Sequence, residues 1–417
     1  MASLPPLDPR KPMDGLTRRT LLKASCGLGA AGVLAGAAAV SWDHVMHRAA
    51  TSPLAGQTPI LVLVTLYGGN DGLNTVVPYA DAAYHDSRPE LAYTPEEVLH
   101  LDDQLGLNPG LKGLADLWKQ QQLTIVRGVG YPQPDHSHFR SMDIWQTAAP
   151  EAPVPSGWIG RWLDANGGDP LLALNIGDVL PPLAVGVTTT AAALSLKPVA
   201  KGTTTRDAAL AAFATVDPRD TVAARQVVAS YAAVGRVRTT FAAAEADPAT
   251  TTSTDLEVRG GLDEQLALVA RCIKAGAPTR VYSVSLDGFD THADEKTAQT
   301  IQLTQVDKAL TSFRAALAGH PREKDVTTVA YSEFGRRVRA NASQGTDHGT
   351  ASNVFVMGES VKGGYVGDQP SLTDLDDGDL KSTVDFRAVY GDLLRSVLGA
   401  DPARVLDKQF APLGLIA

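Results

Sequence analysis

An α/β fold built on a mainly parallel sheet is predicted by three observations. One apolar run near residue 60 shows no inside–outside alternation, five further short β-branched or apolar runs follow it, and helical periodicities lie between them. The first run, Ile60 to Tyr67 (ILVLVTLY), is apolar on both faces, as a strand covered on both sides must be. Weaker runs follow at Leu123 to Val129, Leu171 to Ile176, Arg280 to Leu286, Val326 to Ser332 and Asn353 to Met357. Helical spacing is read at Leu111 to Gln121, Asp263 to Ala275, Thr297 to Leu317 and Phe386 to Leu398. Residues 188–255 break the alternation. They are rich in Ala and Thr and carry two Ala-heavy helical patterns, Arg206 to Thr215 and Thr221 to Glu245, which predict a helical insertion capping the sheet.

The N-terminus has a different character. A polar, proline-rich start leads to Thr17-Arg18-Arg19-Thr20-Leu21-Leu22-Lys23, and then to an uncharged Ala/Gly-rich stretch from Ala24 to Val40. Charged start, apolar middle and small-residue exit make the layout of an export signal, here of the twin-arginine kind. The apolar stretch is short and poor in large aliphatic residues, so no stable membrane span is expected after cleavage. Residues 1–41 are therefore expected to be a signal peptide, 42–57 a linker and 58–417 the folded domain with its insertion. The expected location is periplasmic or secreted, with the twin-arginine translocase as a partner during export.

The chain has a formal net charge of −9, and the signal segment removes more basic than acidic residues, leaving the rest more acidic still. Such a surface argues against nucleic acid as a partner, because phosphate backbones are bound by basic faces. Cys272 alone remains beyond the signal, so no intrachain disulfide is available, and its helical setting reads as a small buried thiol.

In an open α/β sheet, ligands bind just beyond the carboxyl ends of the strands. After the first strand comes Gly68-Gly69-Asn70-Asp71-Gly72, and after the second Asp135-His136-Ser137-His138. Asp287-Gly288-Phe289-Asp290-Thr291-His292 follows the strand of the 280s. Glu333-Phe334-Gly335-Arg336-Arg337 follows the next, and Asp347-His348-Gly349 precedes the last. Carboxylates and imidazoles gathered at one sheet edge repel or desolvate one another unless a cation holds them, so a divalent metal site is expected there. Asp290 and His292, two apart, project to one side of an extended chain and can reach one ion. Bland readings exist for each: Asp71 as a turn residue or helix cap, Ser137 as a helix cap, Glu333 as the partner of a neighbouring arginine.

The motifs Tyr-Gly-Gly-Asn-Asp-Gly-Leu-Asn-Thr-Val-Val-Pro (67–78), Ser-His-Phe (137–139), Asp-Thr-His (290–292), Ser-Glu-Phe-Gly-Arg (332–336) and Asp-His-Gly (347–349) resemble the domain-of-unknown-function 1501 family. These are exported bacterial proteins whose fold is similar to the alkaline phosphatase and sulfatase superfamily, a three-layer sandwich. The resemblance implies Asp71 as a ligand of a second metal, Ser137 as nucleophile, and Asp290 and His292 as ligands of the first metal. It further implies Glu333 for a later carboxylate, and His348 for the last histidine, with Asp347 assisting. Two departures are visible. The Asp290–His292 step is shorter than the superfamily's, which makes Asp287 a substitute, and Phe334 stands where a histidine is usual.

The activity implied is hydrolysis of phosphate or sulfate esters by Ser137 at a dimetal site holding Zn, Mg, Mn or Ca. Two cations about 4 Å apart would polarise the ester and steady both the attacking and the leaving oxygen. The count of carboxylates over imidazoles leans slightly to Mg, Mn or Ca. The alternative is a degenerate, non-catalytic member that binds a surface glycan or partner protein. A Ser137–His138 esterase is disfavoured because no Gly-x-Ser-x-Gly elbow is present.

Overall fold

A computed structural model describes residues 39–177, 180–195 and 261–417. The helical patterns expected at Arg206 to Thr215 and Thr221 to Glu245, the arginine pair of the signal and most of its apolar stretch lie outside the described residues. Two compact units are present, Met1–His47 with Pro155–Glu257, and Arg48–Val154 with Val258–Ala417.

The smaller unit holds a three-stranded parallel sheet in the order Ala39–Val40, Ala192–Leu194, Ala173–Ile176. Its helix Trp158–Ala165 buries Trp158 and Trp162, and Asp164 ties down the following loop by accepting the N–H groups of Val187 and Thr188 at 2.6 and 3.2 Å. Two expectations are refined here. The end of the expected signal segment, Ala39–Val40, is a strand, and the start of the region expected to be a helical insertion forms another, because Ala193 pairs with both Ala39 and Asn175. Residues Trp42–Thr51, within the expected linker, form a helix with an acidic first turn and a basic last turn.

In the larger unit, beside three small antiparallel sheets, the strands of the main sheet are β1 (Ile60–Leu66), β2 (Leu123–Gly130), β3 (Val281–Leu286), β4 (Val326–Tyr331), β5 (Ser352–Met357), β6 (Gly364–Val366) and β7 (Val384–Asp385). They run in the order β3-β1-β4-β5-β2-β6, with β7 also pairing β2. All pairings are parallel except those of β5, which is antiparallel to β4 and to β2. The main helices are α1 (Lys112–Lys119), α2 (His138–Thr147), α3 (Leu262–Ala275), α4 (Glu295–Leu317) and α5 (Phe386–Asp392). All seven residues of β1 are buried, which requires cover on both faces of the sheet because successive side chains alternate. Each of its Ile, Leu and Val side chains contributes about 1.5–3 kcal/mol by leaving water. The strand ends are therefore firmly placed. Trp145 of α2 stacks on Tyr331 at 5.1 Å between ring centres, and α3 packs on α4.

Register decides where the loops go. Leu66 lies beside Leu286 and Thr65 beside Tyr331, so β1, β3 and β4 all end at one edge. Because β5 is antiparallel, its start at Ser352 meets that same edge, opposite Val129 near the end of β2. A bulge on β2 helps. Ser352 faces Val129 while Val354 faces Val126, and the surplus residue is accommodated at Gly128, whose φ of +61° suits glycine. The five motif-bearing loops thus leave or enter the sheet side by side.

Among the described residues no helix is long and apolar enough to cross a membrane.

Candidate metal centre

The loops are cross-tied by Arg336, which is 1% exposed. Its Nε donates to the Gly69 carbonyl at 2.7 Å, Nη1 to that of Thr346 at 3.0 Å and Nη2 to that of Phe289 at 3.1 Å. Nη2 also reaches the Gly68 carbonyl and Oδ1 of Asp290, the latter at 2.7 Å. Gly68 makes this approach possible: its φ is +117°, and a Cβ there would stand 2.5 Å from the Asp290 nitrogen.

Three imidazoles surround Oδ1 of Asp290. The Nε2 atoms of His292, His348 and His138 lie 2.9, 3.2 and 3.4 Å from it. His292 Nε2 and His348 Nε2 are 3.0 Å apart. The Nδ1 atoms face outward to oxygen acceptors. His138 Nδ1 meets Glu333 Oε1 at 2.8 Å, His348 Nδ1 the His136 carbonyl at 2.7 Å, and His292 Nδ1 lies 3.5 Å from Asp347 Oδ1. A carbonyl or carboxylate only accepts, so each neutral ring can hold its proton outward on Nδ1 or inward on Nε2 towards Asp290, and a cation among the Nε2 atoms requires the Nδ1 form. The Nε2 lone pairs then point at a carboxylate oxygen. Lone pairs facing an anion repel it unless a positive charge sits among them.

His138 Nε2 is buried with no hydrogen-bond partner. His138, Asp290 and His348 each offer a donor atom within 4.8 Å of the others, the arrangement of a possible metal site. Adjacent donors on a tetrahedral zinc ion with bonds near 2.1 Å are about 3.4 Å apart, close to the separations seen here. The three residues fit a divalent cation, and His292 Nε2 stands beside them, 2.9 Å from Asp290 Oδ1.

The electrostatics agree with a centre that asks for positive charge. Partial burial works against ionisation of Asp290, but the Arg336 hydrogen bond and charge outweigh it and bring the carboxyl down to about 2. The Glu333 hydrogen bond raises His138, whereas burial lowers His348, helped by the charges of Arg336 and His138. A proton on His138 and a metal ion therefore compete for the same place. Glu333, 1% exposed, is held as a carboxylate despite its burial by His138, the Gly68 N–H at 2.9 Å and the Ser332 hydroxyl at 2.8 Å.

Of the residues singled out in the sequence, Asp290, His292 and His348 come together. Asp347 backs His292 without facing Asp290. Glu333 stands behind His138 and orients it. Ser137 is exposed at the start of α2 beside His138, its own N–H held by Asp135 at 2.7 Å. Asp71 does not join them. It caps the short helix Gly72–Thr75 by accepting the Leu73 N–H at 3.0 Å, and its other oxygen is bound by Arg88, both side chains having no exposure. The Phe334 ring packs on His138 and His348, its centre 4.8 and 5.1 Å from theirs. At the cluster imidazoles outnumber carboxylates, the reverse of the balance counted along the loops.

His138 and Arg336 are the members sequence reasoning passed over as part of this centre. The alternation Asp135-His136-Ser137-His138 was the available signal for the first, since it turns one of the two histidines towards the edge. Nothing in the sequence signals that Arg336 folds inward, because its cradle consists of backbone carbonyls.

No curated protein sequence matches the chain. Among solved structures it is similar to an alkaline phosphatase superfamily protein from Vibrio parahaemolyticus (10% identity, 96% of this chain and 80% of that one, TM-score 0.40). It is also similar to the lipoteichoic acid synthase LtaP from Listeria monocytogenes (11% identity, 76% and 71%, TM-score 0.30). A third similar structure, described under the metabolism of multiple glycosaminoglycans by Bacteroides thetaiotaomicron, gives 10% identity, 85% and 78% coverage, and a TM-score of 0.36. Residues 187–409, more than half the sequence, match the family described as "Protein of unknown function (DUF1501)", and the chain belongs to that family.

Proposed function

We propose that this protein is an exported, metal-dependent hydrolase of phosphate or sulfate esters, with Ser137 as nucleophile. The observation that carries the reading is the convergence of three Nε2 atoms on Asp290 Oδ1, with His138 and His348 each held by an oxygen at Nδ1. A bound cation supplies Lewis-acid polarisation of an ester oxygen. The donor set of three imidazoles and one carboxylate favours zinc over magnesium or calcium.

The remaining work falls to the chain. Arg336 holds Asp290 in orientation, Glu333 fixes the tautomer of His138, and Phe334 excludes water beside the two rings. The ten-residue helix α2 points its N-terminus towards the anionic group of the substrate. The Ser137 oxygen bonds to phosphorus or sulfur as the bond to the ester oxygen breaks, and the alcohol leaves carrying the proton the serine gives up. Water then hydrolyses the Ser137 ester, returning a proton to the serine and releasing phosphate or sulfate. The translocase of the twin-arginine route is proposed as the export partner on the Arg18-Arg19 pattern.

The test is turnover of aryl phosphate and aryl sulfate by protein loaded in turn with zinc, manganese, magnesium and calcium. Ser137→Ala is expected to lose at least a hundredfold in kcat while keeping its metal, and His348→Ala to lose both. No hydrolysis with any cation would leave the non-catalytic reading, a binder of an anionic surface glycan or partner protein. That reading is favoured by one observation: Asp71 and Glu333 spend their oxygens inside the protein.

A further inference from the structure

We infer that the centre takes one divalent cation per chain, and that the Arg88 guanidinium occupies the place a second cation would need at Asp71. The inference rests on the metal reading above and concerns how many ions that site accepts.

Among the described residues, the place of a second ion at Asp71 is closed by groups already in position. Asp71 has one oxygen on the Leu73 N–H at 3.0 Å and the other on Arg88 Nη1. Arg88 is not free to leave. Its Nε donates to the Val338 carbonyl at 2.7 Å, Nη2 to the Arg337 carbonyl at 2.6 Å, and Nη1 also to Asn74 Oδ1 at 3.2 Å. Asn74 is held in turn by the Tyr84 hydroxyl at 2.8 Å. A cation at Asp71 would have to expel a guanidinium with no exposed surface, leaving several buried donors unpaired, and each such loss costs about 1–3 kcal/mol.

The second carboxylate that would serve that ion is equally committed. Glu333 Oε1 accepts from the Gly68 N–H at 2.9 Å and faces His138 Nδ1 at 2.8 Å, and Oε2 accepts from Ser332 at 2.8 Å. Beside it the Phe334 ring offers no donor atom. Glu295 lies against Asp71 with no exposed surface, and burial together with the Asp71 charge pushes its carboxyl up to about 9, so it is neutral at pH 7 and a poor ligand. Arg88 and Asp71 thus form a closed ion pair, while Asp290 and its imidazoles keep their donors turned to one another.

The test is the metal-to-protein ratio of the purified full-length protein after equilibrium dialysis against excess zinc, and separately manganese, read by elemental and native mass spectrometry. One equivalent is expected. Asp71→Asn should keep that equivalent and Asp290→Asn should lose it. Asp71→Asn leaves Arg88 unpaired and can fail to fold, so the double variant Asp71→Asn with Arg88→Met, checked by circular dichroism, supplies the same comparison with the charge pair removed. Two equivalents in the unmodified protein overturn the inference and leave the hydrolase reading standing. Loss of the equivalent in a folded Asp71 variant does the same. No bound metal in the unmodified protein overturns both.

Discussion

Glu295 and Asp71 are neighbouring buried carboxyls, and ionising both together at that proximity is strongly disfavoured. Burial, reinforced by the Asp71 charge, lifts Glu295 from 4.5 to about 9. Asp71 is buried as deeply, yet the Arg88 charge outweighs that burial and keeps it low. Between these two values the folded protein binds a proton that the unfolded chain has released. Stability from this group is fully present below pH 4.5 and falls as pH rises, by at most about 1.4 kcal/mol per pH unit, until about 9. Glu295→Gln is neutral throughout, so its melting temperature should decline less between pH 6 and pH 9 than that of the unmodified protein. Parallel declines would refute the protonated Glu295. The family resemblance implied Asp71 as a metal ligand, and its loop does reach the sheet edge. What the sequence left hidden is Arg88, seventeen residues on, turned inward by three carbonyl or amide oxygens that no pattern of side chains reports.

At the scale of elements, β2 depends on one residue. A Cβ on Gly128 would lie 2.2 Å from the Thr383 hydroxyl, and the backbone there has φ +61°. Gly128→Ala should cost about 1–3 kcal/mol and shift the urea midpoint downward. An unchanged midpoint would mean that the bulge can relax elsewhere. All six predicted strands are present within two residues of their expected bounds, since apolar runs between turn signals define strand existence well. Their direction is another matter. An apolar run reads the same both ways, so the antiparallel setting of β5 was not legible, although it is what brings His348 to the edge. The helix expected from Phe386 to Leu398 changes at Leu393–Val397 to a π-turn, which the periodicity of so short a stretch does not resolve.

For the whole molecule, the ligands of the proposed cation would come from three separate stretches of chain, around His138, Asp290 and His348, so they exist as a set only in the native state. A ligand bound by the folded form alone stabilises it by about 2.7 kcal/mol at a hundred times its Kd. Chelation with EDTA is therefore expected to lower the melting temperature of the unmodified protein, and to leave His348→Ala unmoved. Equal shifts in the two proteins would place the metal elsewhere. Asp290, His292 and His348 were legible as a group because loops at strand ends carry function whatever the fold's details. His138 was not grouped with them, because its membership depends on the start of α2 being carried to the same edge by β2 and its bulge.

The carbonyl cradle of Arg336 has a kinetic meaning. Its guanidinium joins Gly68, Gly69, Phe289 and Thr346, so the three loops are laced together by the chain itself. Loading then fills a preorganised socket instead of ordering floppy segments, and its rate should follow diffusion and ligand deprotonation, with no slow conformational phase. Hydrogen exchange at the amides of these loops should accordingly be nearly the same in metal-free and metal-loaded protein.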